Sequence, residues 1–492
     1  MGSIRRRSPR FLVFSIFLCL ILPGSLFAQV QLVKISTDAF TNTESQHKSE
    51  VEPDTFAWGS TIVSAFQVAR IFNGGGADIG FSTSTDGGRT WTQGYLPGLT
   101  DNFKGGSFQA ASDASVAYDA KHGLWMISAL PLGFAGAAVS TSLSKDGIHW
   151  SRPFIVDSSG GDDKNWIACD NTPTSPFYGN CYTEWDSGTI FMSTSSDGGR
   201  TWGAAKTTGD QAFGIGGQPL VQPNGRVVVP IAGGNGMIAF SSNDGGVSWS
   251  RSVPIADVVS HFEAGNLRSA GLPSAEIDHA GRIYVVWPDC RFRSGCSTND
   301  IVISTSLDGT SWTPPRRIPI DPTTSTVDHF IVGLGVDPTT SGEHAGLTLA
   351  YYFYPVSNCG NSCQLFVGFT SSQNGGRSWT RGKTLAGPMQ LNWLPNTFSG
   401  VMVADYISVS YVNHNPFAVF VVANAPSGGL LNQAVYSTKS PLLVADSEPR
   451  FSSAGEKPIP GVKSDHGPRD FHDDNWERRT PPERQNPPEA KR

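Results

Sequence analysis

The stretch Ser195-Ser196-Asp197-Gly198-Gly199-Arg200-Thr201-Trp202 decides the fold, because the chain repeats it. It stands earlier as Ser84-Thr85-Asp86-Gly87-Gly88-Arg89-Thr90-Trp91 and later as Ser242-Asn243-Asp244-Gly245-Gly246-Val247-Ser248-Trp249. Two copies are one residue shorter, Ser144 to Trp150 around Asp146 and Ser306 to Trp312 around Asp308. A sixth, Ser372 to Trp379, carries Asn374 in place of Asp. Asp-Gly-Gly supplies the positive φ of a tight hairpin turn, and the carboxylate can hold the turn by accepting backbone N–H groups. The Trp is large enough to anchor the second strand by burial against the next sheet. An alternating strand precedes each turn, as in Ile190 to Thr194 and Ile301 to Thr305.

The rest of each unit reads as two further strands. Ala114 to Tyr118 with Leu124 to Ser128, and Pro273 to Ile277 with Arg282 to Trp287, are such pairs. Four strands recurring with the Trp spacing of 47 to 67 residues predict an all-β chain folded as a single β-propeller of four-stranded blades. Six phrases mark six units. Val401 to Tyr411, Phe417 to Ala423 and Gln433 to Thr438 supply three strands of a seventh, and Val30 to Thr37 from the N-terminus its fourth. The expectation is seven blades, with six the alternative, closed by an N-terminal strand that removes an exposed sheet edge.

Composition agrees. Among 492 residues there are 55 Gly, 33 Pro and 13 Trp, with 16% charged and 11% aromatic. That excludes a long helical protein and a wholly disordered one. Residues 1–28 read as a signal peptide: Arg5, Arg6, Arg7 and Arg10, then an apolar run from Phe11 to Leu22 too short to span a bilayer, then Ala28. The mature chain is expected to be secreted or periplasmic, with no transmembrane segment. Residues 452–492 carry 8 basic, 8 acidic and 7 Pro residues and read as a disordered tail. The propeller, 29–451, holds 24 basic and 34 acidic residues, which speaks against nucleic acid. Six cysteines cluster as Cys169/Cys181, Cys290/Cys296 and Cys359/Cys363, each pair bracketing a turn-rich stretch. These are the expected disulfides of an oxidising compartment, local bridges that pin loops.

The repeated phrase is the Asp-box of bacterial neuraminidase repeats, and the chain from about residue 30 to 445 resembles the sialidase-like propellers. In such a propeller Asp86, Asp146, Asp197, Asp244, Asp308 and Asn374 are structural turn residues. The chemistry falls on the opposite face, where strand 2–3 loops and blade-to-blade connections gather. The resemblance implies an arginine cluster for an acidic sugar, a Tyr nucleophile beside a Glu, and an Asp acid/base. The family's Arg-Ile-Pro is replaced in the first blade by Arg70-Ile71-Phe72, while Arg317-Ile318-Pro319 falls on an outer strand.

Candidates on the loop face are Asp101, Glu263 and Tyr406 for catalysis, and Arg70, Arg268, Asp289 and Arg291 for substrate binding. Asp162, Asp163, Lys164, Trp166, Glu184, Asp186, Arg293, Asp328, His329 and Asp405 lie on the same face. An Asp289–Arg291 pair could instead order a long loop. His261, His329 and His414 lack ligand spacing, so no metal and no cofactor are expected. The reading is an exported, monomeric propeller acting on a glycan or glycoconjugate, an exo-glycosidase releasing terminal acidic sugars. The alternative is a non-catalytic propeller that binds glycans or proteins.

Overall fold

The computed structural model describes residues 1–2, 30–234, 236–269, 271–442 and 448–465. Residues 3–28 of the expected signal segment and residues 466–492 of the tail lie outside the described residues. Among the described residues all regular structure is β, apart from four single 3-10 turns, in small antiparallel sheets arranged as a propeller.

Five sheets stand as separate four-stranded units. In chain order their first strands are Asp163–Cys169, Leu220–Val221, Ser274–Ile277, Asp328–Val336 and Ser408–Val412. The expectation of seven, or six, separate blades is corrected here. The first two repeat units form one continuous nine-stranded sheet, because strand Gly76–Ser84 pairs with strand Ala110–Asp119 through Gly76 and Ala111. Glycine permits this contact. A Cβ on Gly75, which has φ +63°, would lie 2.8 Å from the Ala111 carbonyl oxygen. The sequence shows repeat units; whether neighbours also share backbone hydrogen bonds depends on such local approach.

The N-terminal strand Leu32–Lys34 pairs antiparallel with Gln433–Thr438 and completes the last sheet, so its edge is covered as expected. The core lies between adjacent sheets. Tyr284, Val286 and Ile303 of one sheet, for example, pack on Val332, Leu334 and Leu349 of the next. The Asp-box Trp side chains pack backward rather than onto the next sheet. Trp150 meets Phe81 at 5.7 Å and Trp249 meets Tyr182 at 6.4 Å, each ring on the preceding unit.

The turns close as their chemistry requires. Asp86 Oδ1 accepts the N–H groups of Arg89 and Thr90 at 3.0 and 2.9 Å, and its Oδ2 accepts Thr90 Oγ1 at 2.7 Å. These bonds, led by those from Thr90, pull its carboxyl down to about 2. Asn374 does the same work with one bond reversed, its Nδ2 donating to Ser378 Oγ at 2.8 Å.

All three expected disulfides are formed: Cys169–Cys181, Cys290–Cys296 and Cys359–Cys363. In two of them one cysteine is also a core residue, because Cys181 and Cys363 are fully buried. Cys181 opens strand Cys181–Asp186, lies directly opposite Cys169 in the antiparallel ladder, and packs with Met126, Leu143 and Ile167. Cys363 immediately precedes strand Gln364–Ser372 and packs in the cluster that holds Leu365 and Leu391. Their partners Cys169 and Cys359 are only half-buried. Each of these two bridges therefore ties a more exposed segment to a cysteine that packs as a small apolar side chain. Turn-rich flanks mark the loop between two cysteines and do not show which sulfur lies in the core.

The last described residues, 448–465, lie against the ring. Arg450–Phe451 pairs with Trp379–Thr380, and the chain to Asp465 is held along the ring. Glu456 bonds Arg317 at 2.9 Å, Ile459 N–H donates to the Arg291 carbonyl, and Asp465 meets His261 at 2.5 Å. Polar partners on the ring therefore order a stretch whose composition alone reads as loose. Among the described residues no helix is long and apolar enough to cross a membrane.

Candidate functional site

The first strands of several units carry the site because they are broken in the same way. Pairing slips between Val51 and Asp54, between Ser112 and Ser115, and between Asp163 and Trp166. At each slip one non-glycine residue has positive φ: Glu52 at 54°, Asp113 at 46° and Lys164 at 48°. These are β-bulges, which re-aim a side chain at a cost in backbone strain. Three bulges on neighbouring units turn three charged side chains toward one point.

That point is the Lys164 ammonium. It lies 3.2 Å from Glu52 Oε1, 2.9 Å from Asp113 Oδ1 and 2.9 Å from Asp405 Oδ2, and all four side chains are buried. Asp405 arrives on the connection before Ser408–Val412 and is also gripped by Arg268, whose Nε lies 2.9 Å from Asp405 Oδ1. Gln67 donates to Glu52 and, at 3.0 Å, to Ser112 Oγ, which donates to Asp113 Oδ2. The Tyr406 ring lies 5.4 Å from Lys164 Nζ, and its hydroxyl donates to the Ala114 carbonyl at 3.3 Å. Arg70 is buried close by; it donates to the Gly75 carbonyl at 2.6 Å and reaches Met402 Sδ with its Nε.

The electrostatics follow from burial and pairing. Burial alone would push the Lys164 ammonium down, but Asp113, Asp405 and Glu52 outweigh it and hold the group well above its ordinary value. Burial would raise Asp405, yet Arg268 and Lys164 hold it well below the usual carboxylate range. Glu52 is raised to about 8, burial exceeding the pull of Lys164. Burial, then the proximity of Arg268, lowers Arg70 to about 10. Tyr406 is driven well upward by burial and by the carboxylates beginning with Glu52, so it is a neutral phenol.

Of the predicted residues, the structure brings together Arg70, Arg268 and Tyr406, with Asp405 and Lys164. Trp166, whose ring lies 5.2 Å from that of Tyr406, and Asp163 are there too, while Asp101, Glu263, Asp289, Arg291, Arg293 and Arg317 lie elsewhere. Asp101 is exposed on the connection between the first two units. Glu263 is buried beside Asn299, whose Nδ2 donates to it at 3.2 Å, and close to Asp328. Arg291 closes its fork on Asp289, Nε to Oδ1 at 2.8 Å and Nη2 to Oδ2 at 2.7 Å. Asp289 also accepts Trp287 Nε1 and the Val259 N–H, so the pair orders its loop. Arg293 is paired with Asp300 and Asp321. Arg317 lies on the outermost strand of its sheet, so the Arg-Ile-Pro letters fall outside the site.

Glu52 and Asp113 were not legible as site residues. Their one signal is a charge near the start of a unit's first strand, Glu50-Val51-Glu52-Pro53-Asp54 and Ser112-Asp113, where burial is expected. Asp300, Asp321 and His329 place donor atoms within 4.8 Å of one another. Arg293 bonds both carboxylates and Arg317 approaches Asp300, so guanidinium already occupies the place of a cation.

Residues 138–335 match the BNR repeat-like domain, in the part of the chain that carries four of the Asp-box turns. No curated protein matches it. Among solved structures it is similar to the Hadza microbial sialidase Hz136, with 14% identity over 81% of this chain and 66% of that one and a TM-score of 0.42. It is similar to the NanB sialidase of Streptococcus pneumoniae at 15% identity, over 83% and 70% of the two chains, with a TM-score of 0.41. A Dyadobacter fermentans protein of unknown function shares 14% identity over 83% of this chain and 98% of its own, with a TM-score of 0.42. The chain thus spans just under two thirds of the Hz136 sialidase. Likeness at this level fixes neither activity nor substrate.

Proposed function

We propose that this chain is an exported sialidase-like propeller that binds glycans or glycoconjugates on its loop face without hydrolysing them. The closed ion cluster carries this reading. Arg268 holds Asp405, Lys164 is engaged by Glu52, Asp113 and Asp405, and Tyr406 is buried and neutral. The groups a glycosidase would offer to a sugar are engaged with one another. Around the cluster the loop face presents aromatic side chains instead. Phe72, Phe134, Phe213 and Phe262 lie on strand 2–3 loops or blade-to-blade connections and are 48%, 89%, 58% and 51% exposed. Aromatic faces suit the apolar side of a sugar ring.

Hydrolysis is the second reading, favoured by the convergence of Arg70, Arg268, Tyr406 and Glu52. Fluorogenic sialosides and a glycan array separate the two. Glycan binding without turnover, weakened in a Phe134→Ala Phe262→Ala double variant, supports the proposal. Turnover that Tyr406→Phe abolishes overturns it. Export is proposed with it, on the three disulfides and the N-terminal sequence pattern.

A further inference from the structure

On the other side of the Lys164 cluster the ring's axis is open. A chamber of about 490 Å³ is lined by the units' first strands and by strand 1–2 turns such as Asp278-His279, so its mouth faces the Asp-box side. Trp166 and Gln218 line both this chamber and a small cavity bounded by Lys164, Asp113 and Tyr406. The charge cluster therefore forms the chamber's floor and separates it from the loop face. The size is that of small-molecule sites.

The lining has a chemical bias. Among the described residues it contains Asp54, Glu276 and Asp278, and neither Lys nor Arg. Asp278 is engaged within its turn, accepting from the N–H groups of Ala280, Arg282 and Gly342 and from the Tyr284 hydroxyl at 2.8 to 3.1 Å. Asp54 accepts the Val116 N–H at 2.8 Å. Glu276 takes a backbone bond from Ile277 and is half-buried against the open space, close enough to Asp54 for their charges to repel. The walls are mostly aliphatic, with four aromatic residues among them: Phe56, Trp58, Trp166 and Tyr411. Trp58 stacks on Tyr118 at 5.1 Å and keeps 40% of its surface exposed at the rim.

We propose that this chamber is a binding site for a small organic cation, an ammonium group on an apolar body. Aromatic rings in the lining can attract a cation, and the Asp54 and Glu276 carboxyls, raised to about 7 and 8 by burial, ionise more readily beside one. The lining holds neither Lys nor Arg, and His279 at a strand 1–2 turn is its one basic side chain among the described residues. A neutral ligand of the same shape finds no charge to match, and an anionic one meets two carboxyls for the single imidazole of His279. The site lies on the opposite face from the proposed glycan surface and does not rest on that reading.

The test uses the mature chain, with choline and its uncharged carbon isostere 3,3-dimethylbutan-1-ol as probes, titrated by calorimetry and Trp fluorescence. Choline binding at least about 10-fold tighter than the isostere is expected. Glu276→Gln and, separately, Trp58→Ala should each weaken choline by about 5- to 10-fold with an unchanged melting midpoint. Trp58 is at the exposed rim, so its variant keeps the fold if Glu276→Gln does not. The proposal is overturned if choline fails to bind at about 50 mM, if the isostere matches it, or if both folded variants bind as the parent does.

Discussion

Replacing Lys164 with Met keeps the stem's bulk and deletes the ammonium. Three carboxylates that now meet at 2.9 to 3.2 Å from one nitrogen would then face one another inside the ring. Removing one partner of a buried ion pair costs about 3–5 kcal/mol, most of it the uncompensated charge left behind. Arg268 still holds Asp405, so the unpaired groups are Glu52 and Asp113. The assay is equilibrium urea unfolding followed by Trp fluorescence at pH 8 and pH 5. Glu52 already sits at about 8 with Lys164 beside it, and losing the ammonium moves it further up. The folded variant therefore already holds most of that proton at pH 8, so the loss of stability shrinks only slightly between pH 8 and pH 5. Adding Asp113→Asn to Lys164→Met should recover about 1–3 kcal/mol of coupling at pH 8. The reasoning is refuted if Lys164→Met costs under about 1 kcal/mol at pH 8, or if the double variant is as unstable as the single one.

Asp197→Ala should destabilise by about 1–2 kcal/mol, since it strips acceptors from Ser195, Arg200 and Thr201, whereas Asp197→Asn should cost less because Asn374 fills the same turn; thermal melts decide. Arg291→Lys should leave glycan binding unchanged and make the Cys290–Cys296 loop easier to cleave by trypsin, because the lost fork belongs to Asp289; weakened binding would count against that assignment. Stability should fall as pH rises from about 4.5 to 8. Burial raises Glu50 and Asp54 to about 7 and Asp78 and Glu276 to about 8, so the folded state binds more protons than the unfolded state across that window. Each such group contributes up to about 1.4 kcal/mol per pH unit, and a urea midpoint higher at pH 8 than at pH 5 would reject the sign.

The fold was legible because its signal is local. Asp-Gly-Gly turns need glycine at positive φ, and Gly87 and Gly88 have 74° and 84°. The Trp that follows must bury, and cysteines a few residues apart pair most readily with each other. That Cys181 and Cys363 also fill the core was not legible, since burial depends on the strands that fold over them. The site was half legible. Arg70, Arg268 and Tyr406 could be assigned to the loop face from the order of strands and loops alone. Glu52 and Asp113 could not, because a bulge adds one residue to a strand and changes where every side chain before it points. Arg291 looked available for the same reason in reverse: sequence places it on the right face but does not show that its fork is already closed on Asp289. The sheet fusion at Gly76 and the seated tail are contacts between segments far apart in the chain or crossing a unit boundary, and no repeat pattern encodes them.

The pairing of Leu32–Lys34 with Gln433–Thr438 bears on how the ring is made as well as how its edge is sealed. The closing strand is the first in the chain, and its partner is the last strand of the circuit. Intermediate sheets can form from local hairpins as the chain emerges, but the last sheet lacks its outer strand until these two segments, about 400 residues apart, meet. Because the loop-closure cost is met before that contact returns anything, closure is expected to be the slow, late event of folding.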